Sequence, residues 1–461
     1  MITSTETRWA RGFTRRPNND STTDTTGCFA DLLRQDSTER RTRVGRHDNT
    51  FASKRHKSRP IAGSDDTSAM DREPLETLSG DRLGGCLVGC RSSVRAGPQT
   101  HSASRLSAAA AIPGTPGVRY WGDEVPPDAQ RWFEATPDEI AERYSGIVGR
   151  PHAYLAMSGG GGDGAFGDGA FGAGLLNGWS EAGNRPEFTI VAGISTGALI
   201  APFAFLGPEF DDELKVIYTT TSTKDILKMR GKFAPFIRDA AASSKPLQEL
   251  LARYITEDVR SAIATEHRKG RRLLIGTTNL DAGRPVIWDL GAIANASDSE
   301  SLNLMRRVLL ASASIPAAFP PVLMQVKTNG NTYDELHVDG GVTSQVFLFP
   351  VSLDWRQTKE KLQVQGTPAV YVIRNAQLDP RWMEVKNRFV PIIMRSASSL
   401  VRTQGVGDLY RIYLQSERYG LAFHLAFIPN TFSRVANEEF DTGYMQELFE
   451  LGFKMGMSAN P

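Results

Sequence analysis

The chain has 461 residues, 40% hydrophobic and 23% charged, and its 53 Lys+Arg nearly balance 52 Asp+Glu for a formal net charge of +1. That balance gives no support to a global nucleic-acid or membrane-surface binder, and a mean hydropathy of −0.31 argues against an integral membrane protein. Three cysteines are too few for a disulfide-stapled scaffold or a four-thiolate zinc site, and the length allows one large domain or two to three average ones.

Residues 1–117 differ from the rest. They hold 18 Lys/Arg and 13 Asp/Glu, a net +5 that leaves −4 for the remainder, and only 33 of them are apolar. Runs such as Thr38 to Arg46 and Ser53 to Arg59 show no period of 3.6 or 2. Such a segment cannot bury enough apolar surface to offset its ordering entropy, so disorder is expected over 1–117. A start assigned upstream of the true domain would give the same texture. Cys28, Cys86 and Cys90 all lie here. Leu87-Val88-Gly89-Cys90 has the form of a lipoprotein acylation site, but Asp71, Glu73, Glu76 and Asp81 precede it where an apolar signal region belongs. The tetrapeptide is therefore read as chance, and location is left between cytoplasmic and membrane-associated.

From Val118 onward the pattern is that of one α/β domain, 118–461. Asp128 to Tyr144 has helical spacing with an acidic start at Pro137-Asp138-Glu139. Strand-like runs follow at His152–Met157, Phe188–Ala192, Arg272–Thr277, Glu335–Val338, Ala369–Ile373 and Leu421–Ile428. Helical stretches stand between several of them, at Ser301–Ala311 and Trp382–Arg402, and Tyr444 to Met457 closes the chain as an amphipathic helix. Alternating strands and helices predict a mostly parallel sheet covered on both faces, a three-layer α/β/α sandwich. No charge occurs between Glu187 and Glu209, which is long enough for a membrane span. Gly193, Gly197 and Pro202 divide it, and a buried strand–turn–helix is the better reading.

Three motifs carry chemistry. The first, Ser158-Gly159-Gly160-Gly161-Gly162-Asp163-Gly164, follows a strand directly. A Gly-rich turn there aims several backbone N–H groups at one small volume, which suits a phosphate or the oxyanion of a tetrahedral intermediate. Gly162 to Gly167 also fits a dinucleotide fingerprint, but the next strand ends in Gly193-Ile194-Ser195 rather than the ribose-binding acid. The second motif, Gly193-Ile194-Ser195-Thr196-Gly197, joins a strand to a helix. In such a nucleophile elbow small neighbours let the serine Oγ project from a strained turn. The third, Asp339-Gly340-Gly341, closes a strand, and its glycines let the chain turn away and leave the carboxylate at the strand's end.

This order of Gly-rich loop, G-x-S-x-G elbow and D-G-G resembles the patatin-like phospholipase family, over a motif core of about 152–350. Ala311 to Pro321 resembles the segment such proteins carry before the catalytic Asp, and Thr277 to Gly283 is similar to the family's bacterial members. The resemblance implies a serine lipid acyl hydrolase. Ser195 would be the nucleophile and Asp339 its general base. The amides of Gly159, Gly160 and Gly161 would form the oxyanion hole, and Gly164, Gly193, Gly197, Gly340 and Gly341 would shape the motifs. Fatty acyl esters of phospholipids or lysophospholipids are the expected substrates, reached by transient membrane contact. No metal, cofactor or nucleic acid is expected, and no signal bears on a protein activator.

One departure stands out. Asp163–Gly167 and Asp168–Gly172 are the same pentapeptide, Asp-Gly-Ala-Phe-Gly, in tandem. Five extra residues exceed one helical turn, so they must loop out or shift the helix start. A displacement of the oxyanion amides by ~1 Å would cost about 100-fold in activity. Two other readings follow: an inactive lipid-binding homologue, and a Ser-His-Asp esterase using His337 or His424. His337 shares a strand face with Asp339, while a structural role is the simpler account of each histidine. Among the apolar residues, Phe203, Phe205, Phe233, Phe236 and Phe319 are candidates for core or acyl pocket alike.

Overall fold

A computed structural model describes residues 111–126, 129–160, 166–229, 240, 242–296, 299–348 and 353–458. The expected disorder of the N-terminal stretch, up to residue 110, and the Leu87–Cys90 tetrapeptide lie outside the described residues. Ala111 makes an isolated bridge with Lys327 and Ile112 is buried, ahead of the compositional change at Val118.

The domain opens with β1 (Arg119–Trp121), α1 (Ala129–Glu134) and α2 (Pro137–Arg143). The spacing predicts one helix here, and the structure has two. Pro137 cannot donate to the carbonyl four residues back, and Thr136 restarts the helix in a capping box with Glu139. Then come β2 (Ala153–Met157), α3 (Gly169–Glu181), β3 (Ile190–Ile194), α4 (Thr196–Leu206) and α5 (Asp211–Thr220). After a short two-stranded ribbon, β4 (Lys228–Met229) with β5 (Ala242–Ser243), follow α6 (Lys245–Tyr254), α7 (Glu257–Arg268), β6 (Arg272–Asn279) and β7 (Arg284–Asp289). Next are α8 (Leu290–Asn295), α9 (Ser301–Ser312) and the hairpin β8 (Val322–Thr328) with β9 (Asn331–Asp339). The chain ends with α10 (Trp355–Lys361), β10 (Ala369–Arg374), α11 (Phe389–Tyr419), β11 (Ala422–Phe427) and α12 (Thr442–Ser458).

The sheet runs β1-β7-β6-β3-β2-β10-β11, with β9 also on β6 and β8 on β9. β6, β3, β2, β10 and β11 are parallel, while β1, β7, β8 and β9 join antiparallel. The period-2 alternation of β2 shows why the sheet is covered twice. Leu155 and Met157 enter one apolar core with α3, α4 and α12, and Tyr154 and Ala156 enter another with Trp355 of α10 and Leu409 and Ile412 of α11. The expected three-layer sandwich is thus present. α3 and α12 touch along glycines: a Cβ on Gly174 would fall 2.0 Å from the Phe449 carbonyl, and one on Gly178 2.0 Å from that of Phe453.

The helix expected over Trp382–Arg402 instead starts at Phe389 and runs to Tyr419. Pro391 lacks the N–H for another turn upstream and its ring blocks one, so the helix can begin only just before it. Gly420, at φ 65°, ends it in the left-handed conformation. No helix among the described residues is long and apolar enough to cross a membrane.

Candidate active site

β6 is longer than β3, and that mismatch builds the site. Ile190 to Ile194 of β3 lie opposite Arg272 to Gly276. There β3 ends, and the next three places along the same edge of β6, at Thr277, Thr278 and Asn279, are taken by Asp339, Val338 and His337 of β9 arriving from the opposite direction. Ser195, next after Ile194, and Asp339 therefore meet end to end.

Ser195 has φ 55° and ψ −123°, a left-handed conformation that a residue with a Cβ adopts only under constraint. Its neighbours supply the constraint. A Cβ on Gly193 would lie 2.4 Å from the Gly197 carbonyl, and one on Gly197 would lie 2.5 Å from the Met157 carbonyl. Both glycines are thus needed for α4 to start this close to β2 and β3. The Ser195 N–H donates to Ser312 Oγ at 3.0 Å, and Ser312 Oγ donates to the Gly276 carbonyl at 2.7 Å. Two residues on, the Ser314 carbonyl accepts the Asp339 N–H at 2.9 Å. The Ala311–Pro321 stretch, singled out only by resemblance, thus fixes the elbow and the carboxylate together. Neither serine's part was legible, since a buried Ser in a helix and its end looks like any other.

Asp339 is buried, and its Oδ1 accepts the Gly341 N–H at 2.7 Å. Its Oδ2 has no hydrogen-bond partner among the described residues. Burial raises its pKa from 3.8 to about 6, moderated by the neighbouring Ser195 hydroxyl and the Gly341 amide, which favour the ionised form. Gly340 and Gly341 are required at close quarters: a Cβ on the first would sit 2.5 Å from the Gly276 carbonyl, and one on the second 2.9 Å from Asp339 Oδ1.

Gly159 lies against the nucleophile, where a Cβ would meet Ser195 Cβ at 3.1 Å. Its N–H, expected to face an oxyanion, instead donates to the Gln345 carbonyl at 3.2 Å. Gln345 is held in turn by its own N–H to Asp408 Oδ2 at 2.7 Å and its side chain to the Gly341 carbonyl. Gly160 makes no backbone hydrogen bond to a described residue, and Gly161 and Gly164 lie outside the described residues. The loop's near end is clasped by Asn375, which sequence reasoning missed. Its backbone N–H donates to Ser158 Oγ at 2.9 Å, its side chain donates to the Ser158 carbonyl at 2.9 Å, and its Oδ1 accepts the Gly172 N–H at 3.1 Å.

The tandem repeat resolves by position. The second unit is built into the domain: Gly169 opens α3 against Thr196 and Tyr218, Asp168 accepts from the Tyr444 hydroxyl at 2.7 Å, and Gly172 meets Asn375. The helix start is therefore set by the second copy, and the extra length falls ahead of it; Asp163 to Ala165 lie outside the described residues.

Both candidate histidines are engaged in other contacts. His337 is fully buried, with Nδ1 on Thr277 Oγ1 at 3.0 Å and Nε2 on Glu335 Oε2 at 3.2 Å. Trp288 Nε1 donates to the same Thr277 oxygen at 2.8 Å, which leaves the Thr277 hydroxyl able to donate a hydrogen bond to the unprotonated Nδ1 of a neutral imidazole. Burial pushes His337 down, in keeping with that state, while Glu335, against burial, is drawn to about 2 by His337 and Arg119. His424 stacks on Tyr371 with ring centres 4.7 Å apart, on β11.

Beside Ser195 opens a narrow apolar cavity of about 80 Å³, lined by Leu199, Phe203, Tyr254, Ile315, Phe319 and Phe440 among others. Of the candidate aromatics, Phe203 and Phe319 line it, Phe205 lies in the core, and Phe233 and Phe236 lie outside the described residues. A larger cavity of about 330 Å³, lined by Asp168, Arg374, Arg381, Arg402 and Arg434, is separate from Ser195. No group of three or more His, Cys, Asp or Glu among the described residues could hold a metal ion.

The site thus belongs to an α/β sandwich that sets a strained serine and a buried carboxylate end to end. The model of the patatin-like phospholipase family matches residues 155–351, and the chain carries a domain of that family. Such a domain implies lipid acyl hydrolase activity. VipD from Legionella pneumophila aligns at 10% identity and a TM-score of 0.28, over 66% of this chain and 67% of that one, a likeness too loose to bear on the site. No curated protein sequence matches.

Proposed function

We propose that the chain hydrolyses fatty acyl esters of phospholipids or lysophospholipids through a Ser195–Asp339 dyad. One observation carries the reading: Ser195, held in a left-handed turn, stands at the end of a buried carboxylate whose Oδ2 is otherwise unpartnered. Asp339 accepts the hydroxyl proton as Ser195 Oγ attacks the ester carbonyl. The oxyanion falls between the Gly-rich loop and the first turn of α4, whose free N–H groups and dipole favour negative charge. Gly160 supplies a donor, with Gly161 by family resemblance, while Gly159 contributes by its missing side chain and not by its engaged amide. Collapse expels the alcohol, which takes the proton from Asp339 and leaves an acyl-Ser195. Water then attacks with Asp339 again as base and releases the fatty acid. The apolar cavity beside Ser195 takes the acyl chain.

The test is a fluorophosphonate probe, which labels an activated serine, applied to wild type, Ser195→Ala and Asp339→Asn. Labelling of wild type that disappears in both variants supports the dyad. A folded wild type that does not label overturns it and favours an inactive lipid binder.

A further inference from the structure

Among the described residues, the most exposed apolar surface is concentrated in one segment. Trp382 is 86% exposed, Phe389 79% and Leu400 72%, and Met383, Ile392, Ile393 and Met394 are exposed with them. From Phe389 to Leu400 no described side chain of α11 is buried, whereas the later part of the helix packs Leu409 and Ile412 into the core. About three turns, roughly 18 Å of helix, therefore stand clear of the domain. Burying large apolar groups is worth roughly 1.5–3 kcal/mol each, so leaving this many in water is a standing cost unless something covers them.

Charge identifies the cover. Between Trp382 and Leu400 the segment carries three basic residues, Lys386, Arg388 and Arg395, against one acid, Glu384, and Arg381 and Arg402 flank it. A second copy of the same surface would bring like charges together. The chain's own residues 1–117, at net +5, are an equally poor match. An anionic bilayer suits both features: Trp and Phe seat at the headgroup–acyl boundary while Lys and Arg meet the lipid charge. The placement also fits. The segment follows Arg374, the last residue of β10, beside the strand end where Asn375 clasps the Gly-rich loop. Arg381 and Arg402 line the 330 Å³ cavity with Arg374 and Asp168, at that same end of the sheet.

We propose that Trp382–Leu400 is a docking surface for anionic lipid bilayers, which presents the catalytic end of the sheet to the membrane. Its biological sense rests on the lipid-hydrolase reading, but binding can be measured without turnover. The experiment is co-sedimentation of full-length Ser195→Ala with vesicles of phosphatidylcholine alone or with about 30 mol% phosphatidylglycerol. The protein is expected to bind the anionic vesicles, and added salt is expected to weaken the binding. Adding Trp382→Ser and Phe389→Ser should weaken it roughly 10- to 100-fold, and adding Lys386→Glu and Arg388→Glu should abolish the preference for anionic lipid. In the Ser195-intact background, all four substitutions should leave the melting temperature and the hydrolysis of a water-soluble p-nitrophenyl ester unchanged. Absence of vesicle binding, binding unaffected by the Trp382 and Phe389 substitutions, or a dimer dissolved by them would each overturn the proposal. Failure of fluorophosphonate labelling would instead strike the hydrolase reading and leave docking to stand or fall on the vesicles.

Discussion

Ile194 and Asp339 occupy consecutive places on one edge of β6, opposite Gly276 and Thr277. One ends a parallel strand and the other an antiparallel strand, so two distant segments of sequence point at each other across a single rung. The chain turns out of the sheet at Ser195 at that junction, and no loop lies between the serine and the carboxylate. A pair held by sheet register is rigid, which would suit chemistry sensitive to errors of ~1 Å.

The raised pKa of Asp339 predicts the pH profile. A base must be ionised to accept a proton, and this carboxyl loses its proton at about 6. The kcat/KM for a soluble ester should therefore rise with pH, about tenfold per unit well below that value, and level off above it. A profile level down to about pH 4 would exclude Asp339 as the base.

The same shift predicts a trade between stability and activity. Asp339 holds its proton more tightly folded, at about 6, than unfolded, near 3.8. Asp339's own contribution to stability is accordingly lost as pH rises from about 4 through about 6, by up to roughly 3 kcal/mol. Asp339→Asn, which keeps an acceptor for the Gly341 N–H, should abolish activity yet melt higher than wild type at about pH 7.5. Melts at about pH 4 should nearly coincide.

Ser312→Ala leaves the Ser195 N–H without its acceptor and the Gly276 carbonyl without its donor. Each loss of this kind costs about 1–3 kcal/mol, and the elbow loses its anchor. The expected result is a folded protein of lower melting temperature with kcat reduced about 100-fold and KM little changed. An unaltered kcat would show that α4 alone holds the elbow.

Asn375→Ala strands the Gly172 N–H and the Ser158 carbonyl, both buried. A loss of roughly 2–4 kcal/mol and slower fluorophosphonate labelling should appear together, because one side chain ties the Gly-rich loop to the start of α3. Denaturant midpoints beside labelling rates would check it, and unchanged labelling would refute the coupling.

His337→Gln separates the dyad from a histidine mechanism. Both ring nitrogens are engaged by Thr277 and Glu335, so the variant should lose about 1–3 kcal/mol of stability and keep its labelling rate within a few fold. A loss of several orders of magnitude would restore His337 as base.

Much of this was legible in the chain. Alternating strands and helices specified a doubly covered sheet because side-chain period and strand burial are local properties. The second and third motifs were readable because each needs glycine where a Cβ would strike backbone, as at Gly193, Gly197 and Gly340. The duplicated pentapeptide was visible too, but which copy opens α3 was not. Identical sequences differ only in their partners, and Thr196, Asn375 and Tyr444 choose the second.

What the linear order determined, then, was the residue types: a serine in a turn too tight for side chains and a carboxylate before two glycines. Only the tertiary structure decided their relations. It set Asp339 at the next rung after Ile194, gave Ser312 and Ser314 the two ends of one clamp, and engaged the Gly159 amide with Gln345. It also took His337 away from the serine and left Trp382 and Phe389 in water. Those outcomes depend on strand register and on contacts between residues far apart in the chain, and no local pattern encodes them.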